Sequence, residues 1–196
     1  MLRRVLAFIA AVLLGALIGA GSAWAVLSLG AGSFTAHYGA WSHNRAAGSE
    51  AAGPYTRAII AKEGLLALSA REALYFTLNE DFEGRPLSES CIYELHGPPL
   101  EARWWSVTLY AADDYLVRNN DYAASVDAAS VSALRNGAWR IRIAPVRGDA
   151  ANWLSSRDAR RGFSLMLRVY NPHRDFRAAE SALPALTTIS CSEHGA

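Results

Sequence analysis

Lysine is almost absent from this 196-residue chain: arginine supplies eighteen of the nineteen lysine and arginine residues. Eighteen acidic residues nearly balance these positive charges. The formal net charge is +1 at pH 7, and no basic run interleaved with aromatic residues stands out. Nucleic-acid binding depends on such a concentrated basic surface. The composition therefore predicts no nucleic-acid partner.

Motifs of the common catalytic sites are also missing. The chain has no Gly-x-Ser-x-Gly elbow, no His-Glu-x-x-His pair and no phosphate-binding loop. His37 and His43 lack the third and fourth ligands that a metal site needs. Asp113, Asp114, Asn119 and Asp121 could surround Ca²⁺, but their spacing fits no EF-hand loop and such residues are typical of turns. These absences favour a protein that is not an enzyme and has no metal or cofactor, although a site assembled from distant strands stays open.

Charge is absent from one long stretch. No charged residue occurs from Val5 to Phe34, and a helix needs about 20 apolar residues to cross a hydrocarbon core. We predict a cytoplasmic N-terminus and a transmembrane anchor over residues 1–34. Two arginines precede the run and none follows before Arg45, so the positive-inside rule predicts a single pass through the inner (cytoplasmic) membrane with a periplasmic or otherwise extracytoplasmic C-terminal domain.

A cleaved signal peptide is the alternative, because Ala23-Trp24-Ala25 has the small-x-small form of a cleavage site. We favour the anchor, since the apolar run continues through Val26 and Leu27. Both alternatives export the remaining chain.

Residues 35–53 are rich in Gly, Ala, Ser, His and Asn, with Trp41 as their one residue of a buried type. This composition predicts a linker that holds an exported domain, residues 54–196, away from the membrane. A short helix is expected to begin at Pro54, which costs no hydrogen bond at the first helical position, and to end at Gly64. Its inward face is predicted to carry Tyr55, Ala58, Ile59 and Lys62.

Strand patterns dominate the rest of the chain. The clearest is 103–110, where Trp105, Val107 and Leu109 alternate with a second, partly hydroxyl-bearing face. A chain with many short strands and one helix predicts an antiparallel β-sandwich or jelly roll, because a parallel sheet would need crossover helices. The other expected strands are 74–78, 91–95, 115–117, 122–126, 139–143, 163–170 and 186–191.

Cysteine occurs twice, as Cys91 and Cys191, each on an expected strand. In an exported domain these residues meet an oxidising compartment, which favours one disulfide between them. The alternatives are two buried free thiols or a catalytic cysteine. No histidine stands at a diagnostic spacing for the latter.

Several sequence motifs occur in a fixed order along the chain. They are Gly-Pro-Tyr-Thr-Arg-Ala at 53–58, Gly-Leu-Leu-Ala-Leu at 64–68, Glu-Ala-Leu-Tyr-Phe at 72–76, Ala-Arg-Trp-Trp-Ser-Val-Thr-Leu-Tyr at 102–110, Asn-Trp-Leu at 152–154 and Phe-Ser-Leu-Met-Leu-Arg-Val-Tyr-Asn-Pro at 163–172. Together these motifs resemble the family catalogued as domain of unknown function 1214. The resemblance runs from about residue 53 to residue 172 and includes short, membrane-anchored bacterial members. It implies a jelly-roll-like β-sandwich and no activity, so it implies no catalytic residue. The His-Arg-Asp at 173–175 departs from the more apolar continuation expected there.

Aromatic and arginine residues on the expected strands form the one candidate site. Grouped on a sandwich, they would suit the faces of sugars or anionic groups of the envelope. The alternative is that the tryptophans belong to the core and the arginines to solvent. The candidates are Trp104, Tyr110, Arg140, Arg142, Trp153, Arg168 and Tyr170.

We therefore expect a membrane-anchored envelope protein that is a binding or structural module, whose partner is a glycan or a membrane protein. One alternative is an enzyme acting on envelope carbohydrate, which would need two carboxylates in opposed environments. Another is an accessory subunit that presents an apolar patch to a membrane protein.

Overall fold

The structure, a computed structural model, describes residues 1–29, 35–50, 52–62, 68–159, 162–174 and 176–192. Within these residues, two α-helices, α1 (Leu2–Leu29) and α2 (Pro54–Lys62), and a short 3₁₀ helix, Glu180–Ala182, accompany ten strands. The strands are β1 Thr35–Tyr38, β2 Trp41–Asn44, β3 Ala73–Leu78, β4 Cys91–Gly97, β5 Ala102–Ala111, β6 Ser125–Asp127, β7 Trp139–Ala144, β8 Trp153–Ser155, β9 Phe163–Pro172 and β10 Ala185–Cys191.

Helix α1 is apolar along its length. Its residues Leu2–Leu27 are long and apolar enough to cross a membrane, and their surface is not covered by the rest of the protein. A helix with these properties at the N-terminus fits a membrane anchor or a signal sequence.

The strands form two sheets that share one core. The large sheet has the order β1-β2-β3-β9-β5-β6, and the small sheet has the order β10-β4-β7-β8. Alternation places Val107 and Leu167 of the large sheet against Leu95 and Ile141 of the small sheet, all fully buried. The mainly β, sandwich-like fold is therefore confirmed. One pair departs from the antiparallel expectation, since β7 and β8 run parallel.

Two tryptophans join the sheets at the core. The rings of Trp105 on β5 and Trp139 on β7 stack with centroids 4.5 Å apart and an interplanar angle of 18°. Gly97 leaves room for this stack, because a Cβ at that position would overlap the Trp139 ring. The indole nitrogen of Trp139 is buried without a hydrogen-bond partner in the described part of the chain.

The segment predicted as a linker, residues 35–53, differs from the expectation. It contains the hairpin β1–β2, which extends the large sheet through the pairing of Ser42 with Thr77. Trp41 is 2% exposed, and its Nε1 donates a 2.6 Å hydrogen bond to the Pro184 carbonyl. These contacts make the hairpin part of the domain rather than a free spacer.

Helix α2 lies between β2 and β3, so the expected helix is present but does not precede all the strands. It begins at Pro54, as expected. Its inward face was predicted wrongly at two positions, because Tyr55 and Ala58 are exposed and Thr56 is buried instead. The side chains of Ile59 and Lys62, and the whole of Gly64, lie outside the described residues.

The expected disulfide joins Cys91 to Cys191. The two residues stand directly opposite each other on β4 and β10. The bond therefore fixes the last strand of the chain to a strand 100 residues earlier.

Candidate functional site

The outer face of the large sheet carries a cavity of about 540 Å³. The period-two alternation that buries Phe76, Leu167 and Val107 turns the intervening side chains of β3, β9 and β5 to this face. The hairpin β1–β2 and the turn after β5 contribute the remaining walls. The lining side chains are mainly polar or aromatic: Thr35, Ser42, Asn44, Tyr75, Thr77, Asn79, Tyr110, Asp113, Asp114, Tyr115, Ser164 and Arg168, with Ala47 and Met166.

Arg168 is the one cation among the lining residues that the structure describes. Its Nη2 donates a 2.6 Å hydrogen bond to the Tyr110 hydroxyl, and its Nη1 donates a 3.3 Å hydrogen bond to Thr108 Oγ1. The guanidinium carbon lies 5.4 Å from the centroid of the Tyr110 ring. The half-buried side chain makes no ion pair with any described residue, so within that part of the chain its charge meets two hydroxyl groups and the Tyr110 ring but no carboxylate.

Tyr110 gains a specific role from this contact. A tyrosine hydroxyl has one hydrogen to donate and two lone pairs. Because the oxygen accepts from Arg168, the hydroxyl hydrogen stays available to a ligand in the cavity that both residues line.

Two neighbouring acids lie at the edge of the cavity. Asp113 and Asp114 follow β5 in one turn, where the Asp113 carboxylate accepts a 3.2 Å hydrogen bond from the Tyr115 amide. Asp114 has a positive φ of 63°. Both are exposed, as is typical of acids that shape turns.

The seven candidate residues do not form one surface. Tyr110 and Arg168 meet in the cavity, and Trp104 and Tyr170 pair elsewhere on the same sheet with ring centroids 5.2 Å apart. The remaining three, Arg140, Arg142 and Trp153, belong to the small sheet.

The three candidates on the small sheet have separate surroundings. Arg140 Nε lies 3.9 Å from Glu94, and Trp153 Nε1 donates a 2.9 Å hydrogen bond to the Ala144 carbonyl. Arg142 lines a second cavity of about 410 Å³ beside the disulfide. Its Nε is buried with no hydrogen-bond partner in the described part of the chain.

Several cavity residues were not found from the sequence. Ser42 and Asn44 lie in the hairpin that was taken for a linker. Thr77 and Met166 face each other across β3 and β9, and outward parity was the only signal that pointed to them. A strand pattern shows which side chains face out, but not which strands are neighbours.

His43 and Asp121, two of the residues considered as metal ligands, have other partners. His43 Nδ1 lies 2.8 Å from the Tyr75 carbonyl oxygen. Asp121 accepts hydrogen bonds from Ser155 and Arg157, which hold the pKa of its carboxyl below the usual range. No group of three His, Cys, Asp or Glu side chains within the described ranges is placed to hold a metal ion.

A protein-family model described as "Protein of unknown function (DUF1214)" matches residues 72–174. The VPA0106 protein from Vibrio parahaemolyticus has a similar fold, with a TM-score of 0.57 and 22% identity, over 71% of this chain and 36% of that one. An uncharacterised protein from Burkholderia cenocepacia matches with a TM-score of 0.48 and 14% identity, over 60% of this chain and 29% of that one. The chain thus spans about a third of the length of these two proteins. A comparison with curated proteins finds no match.

Proposed function

The chain belongs to the DUF1214 family, whose description specifies no activity, and on the evidence of its own site we propose that it is a membrane-anchored binding module of the cell envelope. The proposed ligand is an acidic saccharide. The proposed binding site is the cavity centred on Arg168.

One observation carries this proposal. Arg168 is half-buried on the cavity surface and, among the described residues, contacts two hydroxyl groups and the Tyr110 ring but no carboxylate. Charged side chains that leave water are normally paired with an opposite charge. A carboxylate of a ligand would supply that charge, and the planar guanidinium is suited to bind it through two parallel hydrogen bonds.

The remainder of the cavity supports a saccharide. A volume of about 540 Å³ falls in the range of small-molecule sites. Hydroxyl and amide groups of Ser42, Asn44 and Thr77 can exchange hydrogen bonds with sugar hydroxyls. The ring of Tyr115, which is 66% exposed, offers an apolar face at the cavity edge.

Two features support a chain that is anchored in the inner membrane and whose domain lies outside the cytoplasm. Helix α1 is long enough to serve as an anchor, and Arg3 and Arg4 lie at its N-terminal end with no matching positive charge in the sequence before Arg45. The Cys91–Cys191 disulfide is of a kind that persists in oxidising compartments. Under this proposal the N-terminus is cytoplasmic and Ala23-Trp24-Ala25 stays uncleaved.

An enzyme acting on carbohydrate is less well supported. Glycoside hydrolysis commonly needs two carboxyl groups on either side of the scissile bond. Asp113 and Asp114 are the only described acids that line the cavity. Because they are consecutive residues of one turn, they are not placed on opposite sides of a scissile bond. The accessory-subunit alternative stays a prediction that no particular contact favours.

Binding by the full-length chain in lipid nanodiscs tests the proposal. The ligands are a uronic-acid oligosaccharide and the same oligosaccharide with its carboxyl groups reduced to alcohols, titrated by calorimetry. We expect binding of the acidic form only, and Arg168→Gln to weaken it roughly 10- to 100-fold, the range for losing a hydrogen bond to a charged group. Arg140→Gln, which removes the same charge from the other sheet, is the control. Equal affinities in Arg168→Gln and the parent, or no binding of the acidic form, would overturn the proposal.

A further inference from the structure

The domain begins very close to the end of helix α1. The helix ends at Leu29 and β1 begins at Thr35. A chain spans at most about 3.3–3.6 Å per residue, so these two points lie within roughly 20 Å of each other. Helix α2 is also a neighbour of α1. If α1 is an anchor, the start of β1 therefore stays near the membrane surface.

Strand directions then show which end of the large sheet is near α1. Strands β1 and β3 run in the same direction, because each pairs antiparallel with β2. Strand β9 runs the opposite way, and β5 again runs with β3. The starts of β1, β3 and β5 and the end of β9 therefore share one end of the sheet, which we name the anchor end. The opposite end is the distal end.

The anchor end exposes apolar and aromatic side chains. Trp104, at the start of β5, is 36% exposed, and Leu68, just before β3, is 45% exposed. Tyr55 on α2 is 52% exposed. Trp104 is paired with Tyr170 at the end of β9. Tryptophan and tyrosine are the residues enriched where a protein meets the membrane–water interface.

The two ends also differ in charge. Among described residues, the anchor end exposes five arginines and three glutamates: Arg45, Arg57, Arg71, Arg103 and Arg174, with Glu50, Glu72 and Glu101. Among the described residues, the loops at the distal end that follow β3, follow β5 and precede β9 carry eight acids and three arginines: Glu80, Asp81, Glu83, Glu89, Asp113, Asp114, Asp121 and Asp158, with Arg85, Arg118 and Arg157. An anionic lipid surface attracts the first arrangement and repels the second.

From these relations we propose that the anchor end of the large sheet rests on an anionic lipid surface. Trp104 lies in the interfacial layer, and Arg71 and Arg103 lie against the lipid head groups. The strands then run roughly perpendicular to the membrane plane, outside the membrane. The Arg168 cavity, which lies on the outer face of the sheet, opens parallel to the membrane surface. This orientation rests on the proposed function for one element only, the uncleaved anchor α1.

Quenching of tryptophan fluorescence by brominated lipids tests the orientation in the full-length chain. A Trp24→Phe background removes the tryptophan of the anchor, and Trp41, Trp105 and Trp139 are buried in the core. Trp153 is half-buried on β8 of the small sheet and is common to every variant compared. In nanodiscs of phosphatidylcholine and phosphatidylglycerol, brominated near the head group, Trp104 should supply most of the quenchable emission. Adding Trp104→Phe to the background should abolish most of the quenching.

Matched variants separate contact from chance proximity. Phe82→Trp, made in the double-Phe chain, places a tryptophan at a distal position that is 94% exposed, and it should not be quenched. Arg71→Gln with Arg103→Gln, or nanodiscs without the anionic lipid, should reduce quenching of Trp104. Unchanged quenching in Trp104→Phe, or equal quenching at position 82, would overturn the orientation.

Extraction of native membranes with alkaline carbonate keeps this test distinct from the proposed function. Release of the chain would show that α1 is not an anchor and would overturn the membrane-anchored part of that function together with the orientation. Retention of the chain without quenching of Trp104 would overturn the orientation alone.

Discussion

The Nη2 atom of Arg168 donates a 2.6 Å hydrogen bond to the hydroxyl oxygen of Tyr110. The two residues extend from neighbouring strands, β9 and β5, and each restricts the other. Thr108 Oγ1 receives the second guanidinium hydrogen bond. The cation therefore faces the cavity in a fixed orientation, a state that a long arginine side chain otherwise reaches at a cost in side-chain entropy.

Loss of the Tyr110 hydroxyl tests that fixed orientation. Tyr110→Phe keeps the ring beneath the guanidinium and removes one hydrogen-bond acceptor, a change of about 1 kcal/mol. We expect the affinity for an acidic oligosaccharide to fall by roughly 5-fold, less than in Arg168→Gln. Calorimetry measures the change, and Tyr115→Phe at the same cavity is the control. An affinity equal to that of the parent would show that Tyr110 does not orient Arg168 for binding.

Removal of the disulfide is expected to destabilise the domain. Cross-linking residues 100 apart constrains the unfolded chain, and disulfides typically contribute about 2–4 kcal/mol. Cys91→Ser with Cys191→Ser should lower the free energy of unfolding by that amount, measured with denaturant in the full-length chain. Amide exchange should rise first in β10, which among the described strands is paired only with β4. Unchanged exchange in β10 would show that backbone pairing alone holds this strand.

Gly97→Ala tests the close approach beneath the Trp105–Trp139 stack. The new methyl group would overlap the Trp139 ring, and overpacking of a core costs about 1–3 kcal/mol. We expect a lower unfolding midpoint and a changed near-ultraviolet circular dichroism from the stacked indoles. Gly53→Ala, where the methyl group meets open space, is the matched control. Equal stability of the two variants would contradict the packing described for Gly97.

Asp81 should make the stability of the domain depend on pH. Burial raises the pKa of its carboxyl, but hydrogen bonds from the Arg85 guanidinium and from the backbone amides of Arg85 and Glu83 outweigh this effect and hold the pKa below the usual range. A carboxyl whose pKa is lower in the folded state stabilises fully above its unfolded pKa, about 3.9. That contribution is lost as the pH falls through the folded pKa.

Asp81→Asn should therefore be less stable than the parent at pH 7, and the difference should narrow below about pH 4. Denaturant titrations at a series of pH values measure it, with Glu80→Gln, an exposed acid of the same turn, as the control. A difference that stays constant from pH 7 to pH 3 would exclude ionisation of Asp81 as its cause.

The sequence predicted the elements whose residues alternate strongly. Val107, Ile141 and Leu167 mark β5, β7 and β9 because each strand buries one full face. Helix α2 was signalled by Pro54, and the disulfide followed from there being only two cysteines. The hairpin β1–β2 was not predicted because its strands have four residues each, with only Trp41 as a large buried side chain. Strand β8 was not predicted because it has only three residues.

The site was harder to predict than the fold. The alternation of side chains along a strand correctly predicted that Tyr110 and Arg168 face outward. It made the same prediction for Arg140 and Arg142, which lie on the other sheet. Which strands are neighbours is determined by pairing between distant segments of the chain. No sequence pattern near Arg168 or Thr77 predicts that the two residues line one cavity. The walls formed by Ser42 and Asn44 depend on a hairpin whose position is determined by the Trp41–Pro184 contact, 143 residues apart in the chain.

The position of β9 in the large sheet affects how the domain is made. This strand lies between β3 and β5, yet it is the ninth of ten in chain order, and β10 closes the small sheet against β4 after it. Pairings between such distant segments form slowly, because the chain loses the entropy of closing long loops before the contacts that compensate for this loss can form. Synthesis therefore delivers most of the domain before either sheet has its full set of strands, and folding has to wait for residues 163–191.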